Sequence, residues 1–86
     1  MANVTVYTTD PCSFCGRVKQ LLNAREIAFD EINLSRDPDG RAELLALTGM
    51  MSFPQVIVGD ELVGGFQETL AADRSGRLAE LLKAAA

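Results

Sequence analysis

Apolar and polar positions alternate from Asn3 to Thr8, with Val4 and Val6 on one side and Thr5 and Tyr7 on the other. A β-branched and aromatic run with that period predicts a first strand. Asp10-Pro11 breaks it, and Phe14, Val18, Leu21 and Leu22 then recur at helical steps, which places them on one face of a helix over 13–24. Ile27, Phe29, Ile32 and Leu34 make a second strand candidate, interrupted by the charged pair Asp30-Glu31.

Asp37 followed by Pro38 suits an N-cap and a first helical residue, because the carboxylate accepts from free backbone N–H groups and proline has none to satisfy. Leu44, Leu45 and Thr48 continue that helix as a stripe, and Gly49 ends it. Residues 53–58 read as a strong third strand. Gly59-Asp60 separates it from a fourth over 61–63, the signature of a tight type II′ hairpin and hence of an antiparallel pair. Gly64-Gly65 opens a final helix carrying Leu70, Leu78, Leu81 and Leu82, with Gly76 a weak point inside it. The order β-α-β-α-β-β-α predicts an α/β fold: a parallel pair joined by a crossover helix, a C-terminal hairpin, and helices flanking a mixed four-stranded sheet. With 86 residues and no repeat or linker, one domain over 1–86 is expected.

Composition narrows the function. A chain that is 48% apolar and 23% charged is not disordered. Its net charge of −4, with an isoelectric point near 4.6, gives no basic footprint for phosphates, so nucleic acid is not an expected partner. Apolar stretches are only a few residues long and the N-terminal segment has neither a basic region nor an apolar core, so no membrane is expected and the reducing cytoplasm is the default compartment. Histidine is absent, which removes catalytic triads, histidine bases and histidine zinc sites together. Cys12 and Cys15 are the only cysteines, too few to build a four-thiolate cage in one chain.

Cys12 falls where the first strand hands over to the first helix, the carboxyl end of a strand where such folds place their ligands. Unpaired N–H groups and the helix dipole favour an anion there, so Cys12 is the expected attacking thiolate. Arg17 and Lys19 add positive charge nearby. Cys15 lies about one helical turn on, with its amide able to point at the Cys12 sulfur, and is placed to resolve a mixed disulfide rather than to start one. Against redox chemistry stand a buried pair of free cysteines and half of an intersubunit metal site. Ser13 is also a good N-capping residue.

Together these segments resemble the glutaredoxins, the small dithiol class of the thioredoxin superfamily, over essentially the whole chain. The matching pieces are VTVYT, PCSFC at the head of the first helix, SFPQVIV, and the hairpin running into GGF. The resemblance implies a thioredoxin-like fold and a glutathione-dependent thiol–disulfide oxidoreductase, with Cys12 and Cys15 catalytic and glutathione as co-substrate. Disulfide-containing proteins and glutathione mixed disulfides are then the expected substrates, and a monomer the expected state. It implies glutathione or substrate contacts at Thr9, Ser13, Phe14, Phe53, Pro54, Gly65, Phe66 and Gln67. Pro54 is expected to follow a cis peptide that leaves the Phe53 backbone free to pair with an extended peptide; the plainer reading is an edge-strand proline that blocks aggregation. The N–H groups of Phe66 and Gln67 are expected to hold the γ-glutamyl carboxylate, where the plainer reading is a turn and a helix start.

Several positions depart from that pattern. Thr9 and Met50-Met51 stand where the family usually carries cations facing the glycine carboxylate of glutathione, and Gln67-Glu68 replaces a pair of aspartates. Phe66 resembles redoxins that serve ribonucleotide reductase and are reduced by thioredoxin reductase, although their bulkier CxxC and their tryptophan are missing. The neutral Thr8-Thr9 pair leaves room for a mycothiol-linked redoxin. Serine at position 13 resembles variants that bind a 2Fe–2S cluster between two subunits, with Cys12 as the ligand from each.

Overall fold

The structure, a computed structural model, describes residues 3–50 and 52–85. Eight elements follow in order: β1 (Val4–Thr8), α1 (Ser13–Ala24), β2 (Asp30–Asn33), α2 (Pro38–Thr48), β3 (Gln55–Val58), β4 (Glu61–Gly64), α3 (Phe66–Ser75) and α4 (Arg77–Ala85). The strands form one mixed sheet in the order β2-β1-β3-β4. The β1–β2 pair is parallel, and β3 runs antiparallel to both β1 and β4. The expected architecture is therefore present, with α1 bridging the parallel pair.

Alternation sets the layers. Val4, Val6, Val56, Val58 and Val63 bury one face of the sheet against Val18 and Leu22 of α1, Ala72 of α3 and Leu78 of α4. On the opposite face α2 lies beside β1 and β2, with Leu44, its buried residue, and Leu47 lining a cavity with Tyr7 and Ile32, while Leu45 stays 38% exposed. The expected α2 caps are in place: the Asp37 carboxylate accepts from the Gly40 N–H at 2.9 Å, and Gly49 adopts φ +72°. Gly59 has φ +60° at the hairpin, as the two-residue turn requires.

Three boundaries differ from expectation. The second strand is shorter than 27–34 and lies at the sheet edge with all four residues exposed, whereas Ile27 and Phe29 precede it and pack on the core. The third strand starts at Gln55 rather than Phe53. The final helix is two. Gly76 takes φ +85°, and its N–H turns back to Asp73 O at 3.4 Å, so α3 stops and α4 leaves at a new angle that lets Leu78 enter the core. Asp73, near that break, also accepts a forked pair of hydrogen bonds from Arg25 at 3.0 Å each, tying the end of α1 to α3. That hydrogen bonding first, and the charge of Asp73 second, raise the Arg25 pKa above its already high value, so the guanidinium keeps its charge at any working pH.

The first helix ends without glycine. Glu26 takes φ +57°, its N–H donates to Asn23 O at 3.0 Å and the Ile27 N–H to Leu22 O at 2.9 Å, which together close the last turn and direct Ile27 onto the core.

Candidate active site

The end of β1 is fixed before the site begins. Thr8 is buried, and its hydroxyl donates to Glu31 Oε2 at 2.8 Å; Lys19 Nζ donates to the same carboxylate at 3.1 Å. One carboxylate on β2 thus joins β1 to α1 and sets the direction in which the helix leaves the sheet. Thr9, half-buried, and Asp10, whose carboxylate accepts from Asn33 Nδ2 at 2.9 Å, then lead the chain to Cys12.

Cys12 itself caps the helix. It has extended backbone angles, and its sulfur accepts from the Cys15 N–H at 3.1 Å. This corrects the expectation for Ser13, which is the first helical residue and exposed, not the cap. The first turn of α1 holds no acidic side chain, so no carboxylate competes with the sulfur for the free N–H groups. Cys12 and Cys15 are joined as a disulfide with Cα atoms 5.3 Å apart. Cys15 is buried at 3% exposure, whereas Cys12 is partly open to solvent. That asymmetry matches an outer attacking sulfur and an inner resolving one.

Phe14, between the two cysteines, shares the helical spacing of Val18 and Leu22 but stays out of the core, open at the surface as a substrate contact would be. It is 45% exposed, and Cys15 takes the buried place on α1 beside Val18 and Leu22. Its ring instead stacks on Phe66, with centroids 5.8 Å apart and planes 22° from parallel, and the Arg17 guanidinium lies 5.4 Å from its centroid. Of the two nearby cations, Lys19 is thus taken by Glu31 and Arg17 lies over Phe14.

The stack brings a second helix start to the first. Phe66 opens α3 directly after the double glycine. The Gly65 N–H donates to Glu68 Oε1 at 2.9 Å, and half-buried Phe66 and exposed Gln67 follow as the first two residues of the helix. Glu68 folds back over the double glycine, most tightly over Gly64. A Cβ at Gly64, where φ is +121°, would lie 2.9 Å from Glu68 Cβ. A Cβ at Gly65 would lie 3.4 Å from the Pro54 carbonyl oxygen, so the third segment closes on the same place. Pro54 is fully buried and follows a cis peptide, as expected. Phe53 is half-buried and precedes the ladder, whose end pairs Tyr7 with Gln55.

The structure therefore gathers PCSFC, the Phe53-Pro54 turn and GGF. Met50 is exposed at the end of α2, while Met51 lies outside the described residues. Sequence reasoning missed Glu68 as a capping residue, although an acid three positions after a helix start is a legible signal. It also missed Thr8 and Glu31, whose pairing is fixed by tertiary contact, and Gln55, whose side chain bonds back to Ser52 three residues earlier. Among the described residues no group of three or more histidine, cysteine or acidic side chains is arranged to hold a metal ion, and no helix is long and apolar enough to cross a membrane.

Comparison with known proteins decides the family. The glutaredoxin family model matches residues 4–63, which span the CxxC, the proline turn and the hairpin. The chain belongs to the glutaredoxin family. Its relatives include the glutaredoxin of Pseudomonas aeruginosa, 40% identical over 98% of this chain and the whole of that protein. Glutaredoxin 3 of Escherichia coli is 34% identical over 96% of this chain and all of its own length. Among solved structures, a buckwheat glutaredoxin–glutathione complex superposes with a TM-score of 0.86 at 29% identity, covering 96% of this chain and 78% of that one. In this glutaredoxin the CxxC is a disulfide-capable site at a helix N-terminus, in the fold the family shares.

Proposed function

We propose that this glutaredoxin is a glutathione-dependent thiol–disulfide oxidoreductase that reduces protein disulfides and glutathione mixed disulfides. The observation that carries the proposal is Cys12 capping α1, its sulfur 3.1 Å from the Cys15 N–H and joined to Cys15 as the oxidised product of such a reaction. The Cys12 thiolate attacks one sulfur of the substrate disulfide, that S–S bond breaks, and the other sulfur leaves as a thiolate. For a protein disulfide, the deprotonated Cys15 sulfur attacks Cys12 and releases the second substrate thiolate, leaving the Cys12–Cys15 disulfide. Two glutathione thiols return the dithiol and depart as glutathione disulfide.

In this reading the Phe53 backbone pairs with an extended substrate segment, with buried Pro54 and Gly65 packed behind it, and the Phe66 and Gln67 N–H groups take the γ-glutamyl carboxylate. Ser13, Phe14 and Phe66 form the rim over which a substrate lies. The buckwheat relative was solved as a glutathione complex, which supports the co-substrate. Thr9 and Met50 leave the glycine carboxylate without a cation, so we expect glutathione to be used at a raised KM.

Paired variants test the assignment. Cys12→Ser is expected to abolish turnover, while Cys15→Ser keeps activity on glutathione mixed disulfides and accumulates a trapped mixed disulfide with protein substrates. Ordinary activity from Cys12→Ser would sink it. Thr9→Lys is expected to lower the glutathione KM roughly three- to ten-fold with little change in kcat, since the added charge-assisted contact is made equally before and at the transition state. Turnover supported only by thioredoxin reductase, or only by mycothiol and its reductase, would replace glutathione as the electron source. A brown protein of twice the monomer mass would instead favour a 2Fe–2S cluster held by Cys12 of two copies.

A further inference from the structure

Gln55, the first residue of β3, is fully buried at 0% exposure. Its Nε2 donates to the Ser52 carbonyl oxygen at 2.8 Å and to Ser52 Oγ at 3.1 Å. A carbonyl only accepts, so the Ser52 contact fixes which end of the amide is nitrogen. The other end, Oε1, is also buried and accepts no hydrogen bond from any described residue. An amide held away from water with its acceptor unmet is a costly filling for a space that methionine would occupy at similar volume.

The ladder does not need this side chain. Gln55 pairs with Tyr7 through its backbone, which any residue supplies. What the amide does hold is Ser52, and with it the short turn through Phe53 and Pro54 that precedes the strand. Pro54 is buried and its carbonyl lies against Gly65, so one end of the turn is already packed. Ser52 is exposed, and the Gln55 amide is what anchors it from inside. Phe53 sits between the two anchors.

We infer that Gln55 is a positioning residue whose buried amide holds the Phe53 backbone in the path needed to pair with an extended peptide substrate. The inference rests on the oxidoreductase reading above. It separates substrates by class. A peptide disulfide, which uses the Phe53 backbone, depends on Gln55, whereas a small disulfide without a peptide chain does not.

The test follows one turnover of the fully reduced protein, with remaining thiols counted by alkylation, so that no electron donor enters. The oxidants are a linear cysteine peptide dimerised through its disulfide, and hydroxyethyl disulfide. Gln55→Met is expected to slow the peptide reaction about five- to ten-fold, leave hydroxyethyl disulfide within about two-fold, and move Tm by no more than about 4 °C. Ser52→Ala, which keeps the 2.8 Å bond to the backbone carbonyl and loses only the hydroxyl contact, is expected to slow the peptide reaction less than Gln55→Met does. A Gln55→Met protein that fails to fold, equal slowing of both oxidants, or an unchanged peptide rate would each overturn the inference. If the unaltered reduced protein reacts with neither disulfide, the oxidoreductase reading itself falls.

Discussion

Two helix N-termini meet at the site, and they are capped in opposite ways. At α1 the free N–H groups face a sulfur, with no acidic residue in the first turn. At α3 the Gly65 N–H is taken by Glu68 from the same turn, and Gly64 leaves room for that side chain to fold back. Both ends offer the same partial positive charge. In the function proposed above, the first faces a sulfur that reacts as its thiolate, and the second holds a carboxylate of its own first turn. The Phe14–Phe66 stack joins the two ends side by side.

Substitutions at the two ends should therefore separate chemistry from stability. The largest effect is expected from Cys12→Ser. Serine also caps helices well, so in the reduced protein stability is expected to change by no more than about 0.5 kcal/mol while turnover is lost; chemical denaturation under reductant checks the first and a disulfide-reduction assay the second. A large loss of stability would mean that the sulfur is a structural cap as well. Next comes Gly64→Ala, where a side chain at φ +121° meets Glu68 Cβ at 2.9 Å. That change is expected to cost about 2 kcal/mol, read as a lower denaturation midpoint at unchanged slope. Glu68→Ala frees the Gly65 N–H and is expected to cost about 1 kcal/mol by the same measurement. No loss from Glu68→Ala would remove the contrast between the two ends.

Much of this could be read along the chain, wherever the deciding forces act over a few residues. The Val4/Val6 alternation, the Asp37-Pro38 start, the Gly49 stop and the Gly59-Asp60 turn depend on local backbone preference, and each stands as expected. The position of Cys12 at a helix start was equally local. Gly76 was legible only as a weakness, because whether a glycine bends into the left-handed region or stays helical depends on what lies beyond it. Here Leu78 gains the core by the break.

The sequence by itself determined the elements, their order and the dithiol at a helix N-terminus, because periodicity, turn chemistry and capping are short-range. The tertiary structure decided which side chains meet. Phe14 shares the helical spacing of Val18 and Leu22, yet Cys15 is the buried residue of that turn and Phe14 stacks on a ring fifty-two positions away at Phe66. Glu31 joins Thr8 to Lys19 only because β2 lies parallel to β1, and Pro54 reaches Gly65 only because β4 folds back along β3. Such contacts leave no periodic trace, since each partner satisfies its own local pattern whether or not the other is present.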